Sequence, residues 1–528
     1  MKQNQDKSLF KKTMCITFAL GILAYGFAAF GFMPYHDSLW CVYQVSPTHN
    51  EFASQLAFGR FLQPVYAIAT GAVSTTPTTA IALAICWISI AVFLICKMLD
   101  TTRTTEIVLI ATVCLANKTV LSLVATFLPW VSADTFAFLL SVIAVYLWRT
   151  STRGQAAPLA ISSLCIAASL SLYQSFICTY IVLVFLISIK DLVDRESIRE
   201  VFSRGLRAVL ALVIGCCIYL ALLIIVPIAT NTELAQGGYN NITNISSNDE
   251  SWGRRLYQTL REIFIAFFSA ENIPSVWDPR LIVATNIIVT IATLTLFVVL
   301  SIKRRLSPQV FVTIIMFALC SVFFANLVRL INQTTHDLMH YAFWLLYLIP
   351  ILFLSTFSDD KDASPSSQNT AQYRLTLTAS SFIAVACIII IMFNNIQVSN
   401  IVLLDRTIRY NATQSLATEI LTRVDELPGY TEGETKVAFV GNLDGQLLPP
   451  ASVTTSSSLT GQKQTGEAYT GYRYLQIMIN DLMLRKTSIL SESQASQLGK
   501  TDKVMTLPTW PNPGSVQLID GVAVVKFS

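Results

Sequence analysis

Long apolar runs, each near the roughly 20 residues that cross a bilayer as a helix, recur along this chain and leave few ways for it to fold. Backbone groups in lipid find no water, so only helices and closed barrels span a membrane. Barrel strands alternate apolar and polar residues; these runs are continuous and therefore predict helices. Of the 528 residues, 53% are hydrophobic and 13% charged, about half the charged share of a soluble domain. About eleven spans are expected, near 13–33, 76–97, 106–127, 133–149, 157–172, 174–189, 208–229, 281–302, 308–327, 340–356 and 375–397.

Basic residues orient the spans. Lys2, Lys7, Lys11 and Lys12, then Lys97 and Arg103, then Lys303, Arg304 and Arg305, then Lys361 and Arg374 fall on one side, which the positive-inside rule makes cytoplasmic. The short fifth and sixth spans meet at Ser171-Leu172-Tyr173-Gln174. Arg149 and Arg153 precede them, and Lys190, Arg195, Arg199, Arg204 and Arg207 follow, so the pair must go out and return. The N-terminus is then inside and the tail, 398–528, outside; ten spans with a cytoplasmic tail is the alternative if that hairpin is one broken helix. The N-terminal apolar stretch has no small-residue cleavage site and is read as a retained first helix.

A net charge of +4, spread over many loops, argues against nucleic-acid binding. Ten of eleven cysteines fall inside predicted spans and only Cys41 in a loop. A disulfide framework is therefore not expected.

The domain expectation is a transmembrane body, 1–397, with outer loops 34–75, 128–132, 230–280 and 328–339, and a soluble α/β domain, 398–528. In the latter, an amphipathic helix over 405–427 stops at Pro428-Gly429. Lys436 to Val440 reads as a buried strand, 452–466 as a linker, 472–484 as helix and Val522 to Phe527 as a last strand.

A few polar groups stand out. Asp37, in Met33-Pro34-Tyr35-His36-Asp37, sits just beyond the first helix. It suits a general base on a hydroxyl or an ordinary helix-flanking acid, with His36 beside it. Arg60 lies among apolar neighbours in Gly59-Arg60-Phe61-Leu62-Gln63-Pro64. Lys118 falls about 18 Å into the third span at 1.5 Å per residue, where a charge faces a partner or a wet cavity. Arg329 marks the outer end of the ninth span. Such cations suit a lipid-linked phosphate; the alternatives are snorkelling for Arg60 and Arg329 and an ion pair between Lys118 and Asp134. His336 and His340 have i, i+4 spacing that puts them on one helix face. That suits a metal, and more readily a plain interfacial helix end. No P-loop or dinucleotide fingerprint is present.

Taken together, the acidic first outer loop, the segment Gly59 to Pro64, the Leu172-Tyr173-Gln174-Ser175 turn, and the tail helix leading to Val437-Ala438-Phe439-Val440-Gly441 resemble the bacterial serotype-converting glucosyltransferases that decorate O-antigen. The resemblance covers nearly the whole chain. It implies an α-helical polytopic GT-C-like fold in the inner membrane, with a periplasmic tail, a polyprenyl-phosphate sugar donor and a glycan acceptor. It makes Asp37 the base, Arg60 a phosphate ligand, and Tyr173 and Gln174 cavity residues near the outer surface. The family commonly has paired acids early in the first loop, where this chain has His36-Asp37, so Glu51 is the substitute base. No cofactor is called for, and a divalent metal stays open. The rivals are an O-antigen polymerase or ligase using Arg254, Arg255 and Arg261, a polyprenyl-lipid flippase or transporter, and a non-catalytic scaffold.

Overall fold

The computed structural model describes residues 2–31, 51–71, 76–150, 156–235, 250–359, 368–441 and 472–527. These form two compact units, one running through Leu128–Asn400 and earlier segments, the other built on Ile401–Ser528.

Among the described residues, seven helices are long and apolar enough to cross a membrane, or eight if a bent pair counts as one span; Ala156–Leu172, Pro308–Phe324 and Tyr341–Thr356 are shorter apolar helices. Their ends follow local chemistry. Ser197 caps Ile198–Thr230 in a reciprocal box with Glu200, and Asp278 and Ser307 cap Pro279–Lys303 and Pro308–Phe324, each with proline at the first helical position. Such caps satisfy amides that have no partner inside the helix. The helix Pro77–Met98 packs against both Lys2–Phe30 and Val131–Thr150, and Ile88, Ala91 and Val92 are fully buried there.

At the end where the basic loops gather, an ion-pair network links the helices. Arg149 and Arg204 both reach Asp191, at 3.1 and 3.2 Å, and Lys190 reaches Asp100 at 2.9 Å. Arg304 donates to the Val193 carbonyl at 2.7 Å. Asp191 is buried and has two arginines, the pairing that a buried charge requires.

The third predicted span is not continuous. Thr104–Leu115 and Lys118–Thr126 meet at 46°. Every carbonyl freed at the break finds a side chain, as a helix broken in an apolar setting must. Asn117 Nδ2 donates to Val113 and Cys114, Tyr25 to Leu115 at 2.9 Å, and Asn395 to Ala116 at 3.0 Å. Asn117 Oδ1 accepts from the Val120 amide at 3.0 Å and so caps the second piece. Lys118 therefore opens a helix instead of sitting inside one.

The last apolar span and the tail helix are one helix, Gln368–Asp425. In the second unit its Ala417, Ile420, Leu421 and Val424 form a buried stripe at helical spacing. The stripe belongs to one core with Val437, Phe439 and Phe527. The sheet is ordered β2 (Ser488–Ile489), β1 (Lys436–Val440), β4 (Val522–Lys526), β3 (Val516–Ile519), with β1 parallel to both neighbours and β3 antiparallel to β4. Strand β1 is central and packed on both faces, which explains its unbroken apolar run. The linker expected over 452–466 lies outside the described residues.

Candidate functional site

Two polar sites emerge in the first unit. The first forms around Arg60. The helix Glu51–Ala57 ends at Gly59, whose φ of 71° is the left-handed conformation that favours glycine at a helix end. The turn aims Arg60 inward: its Nη1 donates to Gln55 Oε1 at 3.2 Å, and the guanidinium stacks on Tyr173, 4.7 Å from the ring centroid. Gln174 Nε2 donates to the Phe58 carbonyl at 2.8 Å and to Tyr219 Oη at 2.9 Å, and Tyr219 donates to the Gly59 carbonyl at 3.2 Å. Gln63 Nε2 donates to Asp134 Oδ1 at 3.1 Å, and the Asp134 carboxylate lies within electrostatic reach of Arg60. Arg60, Gln55, Gln63, Asp134 and Tyr173 are all buried. A buried cation, a buried carboxylate and the amides between them form a network whose members hold one another in place.

The second site is a cavity of about 220 Å³ lined by Lys118, Glu262, Asp337, His340, Asn272 and Trp344 among others. Lys118 Nζ pairs with Asp337 Oδ1 at 3.0 Å, and Thr119 Oγ1 donates to the Asp337 carbonyl at 2.7 Å. The ion-pair reading of Lys118 thus finds a partner, but Asp337 takes the place expected of Asp134, which belongs to the Arg60 cluster. Glu262 accepts from Asn326 at 3.0 Å and Thr335 at 2.7 Å, and His340 Nε2 lies 2.8 Å from Thr335 Oγ1.

Arg329 is committed to acids. Its Nε donates to Glu262 at 2.9 Å, its Nη1 to Glu250 at 3.0 Å and to the Asn332 carbonyl at 2.9 Å. With 3% of its surface exposed, it holds Glu262 beside the cavity. Arg255 is similarly engaged, donating to the Glu250 and Leu330 carbonyls at 3.1 and 3.3 Å and lying over Trp252.

His336 and His340 do not share a helix face. Residues 337–339 form a single 3-10 turn between them, too short for the i, i+4 relation. Burial holds His336 below its ordinary pKa, partly countered by Asp337. Among the described residues no group of three or more His, Cys, Asp or Glu side chains is arranged to hold a metal.

Asp37 and His36 lie outside the described residues, and Glu51 begins a helix without a described side chain. The structure brings Arg60, Asp134, Tyr173 and Gln174 together, and separately Lys118 with His340. Sequence reasoning missed Glu262, Gln55 and Tyr219 as site members and passed over Asp337. Glu262 had a signal, a lone acid in the amphipathic helix Trp252–Phe268; Gln55 and Tyr219 had none, since a polar residue facing inward looks like any other until its partners are known.

Neither the curated proteins nor the solved structures contain a match to this chain. A family model described as Glucosyl transferase GtrII matches residues 26–357, a stretch that contains the Arg60 cluster and most of the lining of the Lys118 cavity, and the chain belongs to that glucosyl transferase family.

Proposed function

We propose that the protein transfers a sugar, glucose by family, from a polyprenyl-phosphate donor to a surface glycan such as O-antigen, at the periplasmic face of the bacterial inner membrane and with inversion. The observation that carries the reading is the closure of two sequence segments on one buried cation. Gly59 to Pro64 supplies Arg60, and Leu172 to Ser175 supplies the Tyr173 ring beneath it and the Gln174 amide that fastens the Phe58 carbonyl. A buried guanidinium held by stacking and amides is pre-organised to meet a phosphate.

In this reading the seven long helices, the bent pair and the three shorter apolar helices make eleven crossings of a GT-C-like fold. The basic loops face the cytoplasm and the 398–528 domain faces the periplasm. Asp37 removes the proton of the acceptor hydroxyl as its oxygen attacks the anomeric carbon. The bond from that carbon to the phosphate oxygen breaks, and polyprenyl phosphate leaves with the electron pair. Arg60 stabilises the growing charge, with Lys118 as a second cation whose resting partner is Asp337. Arg329 serves as a positioning residue for Glu262.

The test is glucose transfer by the purified full-length protein in detergent, from polyprenyl-phosphate-glucose to a rhamnose-containing acceptor, with Asp37→Asn alongside. Transfer by the wild type and none by a folded Asp37→Asn variant is expected. Undiminished transfer by Asp37→Asn would move the base to Glu51.

A further inference from the structure

The helix Trp252–Phe268 carries three arginines and one acid, yet it lies at the end away from the basic loops. The helices on either side fix its place. Ile198–Thr230 starts with Arg199 and Arg204 in its first turns, and Pro279–Lys303 ends at Lys303, so the segment that joins them sits at the opposite end of both. Exposed cations are ordinarily scarce there, and two of these three need an explanation.

At 3.6 residues per turn the helix has three faces. The first turns inward: Arg255, Thr259 and Ile263 are buried, and Glu262 accepts from Arg329. On the second, Trp252, Leu256, Tyr257, Leu260 and Phe264 are all exposed, four of them in a stripe at i, i+4 spacing. The third holds Arg254, Gln258 and Arg261. Arg254 is 67% exposed and its Nε lies 3.6 Å from Glu250, beyond a good hydrogen bond. Arg261 Nη1 donates only to its helix neighbour Gln258, at 3.3 Å. A guanidinium has five N–H donors, so both keep donors for a partner outside the fold.

The apolar stripe continues into the surface that the spans present to lipid. Phe268, one turn beyond Phe264, lines a groove between Pro279–Lys303 and Pro308–Phe324 together with Leu294 and Leu319, and both leucines are exposed on those apolar helices. Trp277, also exposed, directly precedes the Asp278 cap of Pro279–Lys303. With Trp252 and Tyr257 it makes an aromatic group of the kind that sits at head-group level. Continuity with the lipid-facing helices selects a bilayer over a soluble partner, and a row of arginines beside an apolar stripe selects anionic head groups.

We propose that Trp252–Phe268 is an interfacial helix that docks on anionic phospholipid, its apolar stripe at the acyl boundary and Arg254 and Arg261 on head-group phosphates. The proposal does not depend on which sugar the protein transfers. The inward face of the same helix carries Glu262 to the polar cavity, so the lipid contact steadies one wall of that cavity.

The test uses the full-length protein in vesicles of phosphatidylethanolamine with phosphatidylglycerol as the minor component. A benzophenone side chain replaces Leu260, Phe264 or Gln258 in turn, and the light-induced adducts are identified by mass. Abundant phospholipid adducts at 260 and 264 and few at 258 are expected, with phosphatidylglycerol over-represented at least about threefold, below the roughly fivefold that a single basic residue can give at an anionic surface. Arg254→Gln with Arg261→Gln should leave the lipid adducts at 260 in place and abolish that enrichment. Adducts to a second copy of the chain in place of lipid, or lipid adducts as frequent at 258 as at 260, would overturn the docking. Enrichment unchanged in the double variant would overturn the assignment of the arginines to head groups.

Discussion

The Arg60 guanidinium lies over the Tyr173 ring at 4.7 Å from its centroid, and the next residue, Gln174, ties down the carbonyl of Phe58 two residues before Arg60 at 2.8 Å. Cation, ring and clamp thus form one unit, built by two short segments far apart in sequence.

Arg60→Lys keeps the charge but loses the planar stack and the bond to Gln55. A desolvated cation–π contact and one side-chain hydrogen bond are together worth about 2 kcal/mol, so transfer efficiency should fall roughly thirtyfold. Initial rates for Arg60→Lys and for Tyr173→Leu check this. Tyr173→Leu should fall less, because the charge and the hydrogen bond survive.

Lys118 and Asp337 have 16% and 13% of their side-chain surface exposed, so each leaves a poorly solvated charge if the other is removed. Lys118→Met and Asp337→Asn should each lower stability by up to about 3 kcal/mol, and the double variant by less than the sum of the two. A thermal-melt double-mutant cycle measures the coupling; additive losses would show that the pair is not coupled.

Acid should loosen the outer segment around Arg329 in two stages. Burial keeps the folded-state pKa of His336 below its ordinary 6.5, so the unfolded chain takes up that proton first and stability declines as pH falls below about 6.5. Arg329 holds Glu250 below its ordinary 4.5; the stability this confers is present above 4.5 and is lost as pH falls through the depressed value. Hydrogen exchange of 250–262 and 328–340 between pH 7 and 3 should show both declines. His336→Gln reduces the first, since burial also holds His340 below its ordinary value, and Arg329→Gln removes the second.

Phe439 and Phe527 stack at 5.8 Å within the tail sheet, and Phe439 is 2% exposed. Phe439→Ala should cost the tail unit about 3–5 kcal/mol, read as earlier proteolysis of residues 401–528 than in the wild type.

The apolar runs were legible because a bilayer demands continuous hydrophobicity, and most helices begin and end within a few residues of expectation. The broken third span was not, since Asn117 shows its capping role only when Val120, Ala116 and Asn395 are seen to share the break. The tail was read as separate from the last span because its polar residues begin near Asp405, yet backbone geometry carries one helix through that change, as nothing in the sequence breaks it before Pro428. The hairpin at Asp520-Gly521, both at positive φ, had a readable turn signal that was overlooked. Within the site, Arg60 was legible as a cation among apolar neighbours, and Tyr173 and Gln174 entered only through the family resemblance, whereas the Asp337 partner of Lys118 was not legible, because pairing across loops leaves no periodic trace.

The most direct test of the central claim is which donor supplies the sugar. Purified protein is given labelled glucose as polyprenyl-phosphate-glucose or as UDP-glucose, with the same acceptor glycan and no other enzyme. Labelling of the glycan from the lipid donor alone is the predicted result. Labelling from UDP-glucose alone would contradict the account, since it would mean that the sugar arrives without the lipid phosphate that Arg60 is proposed to meet.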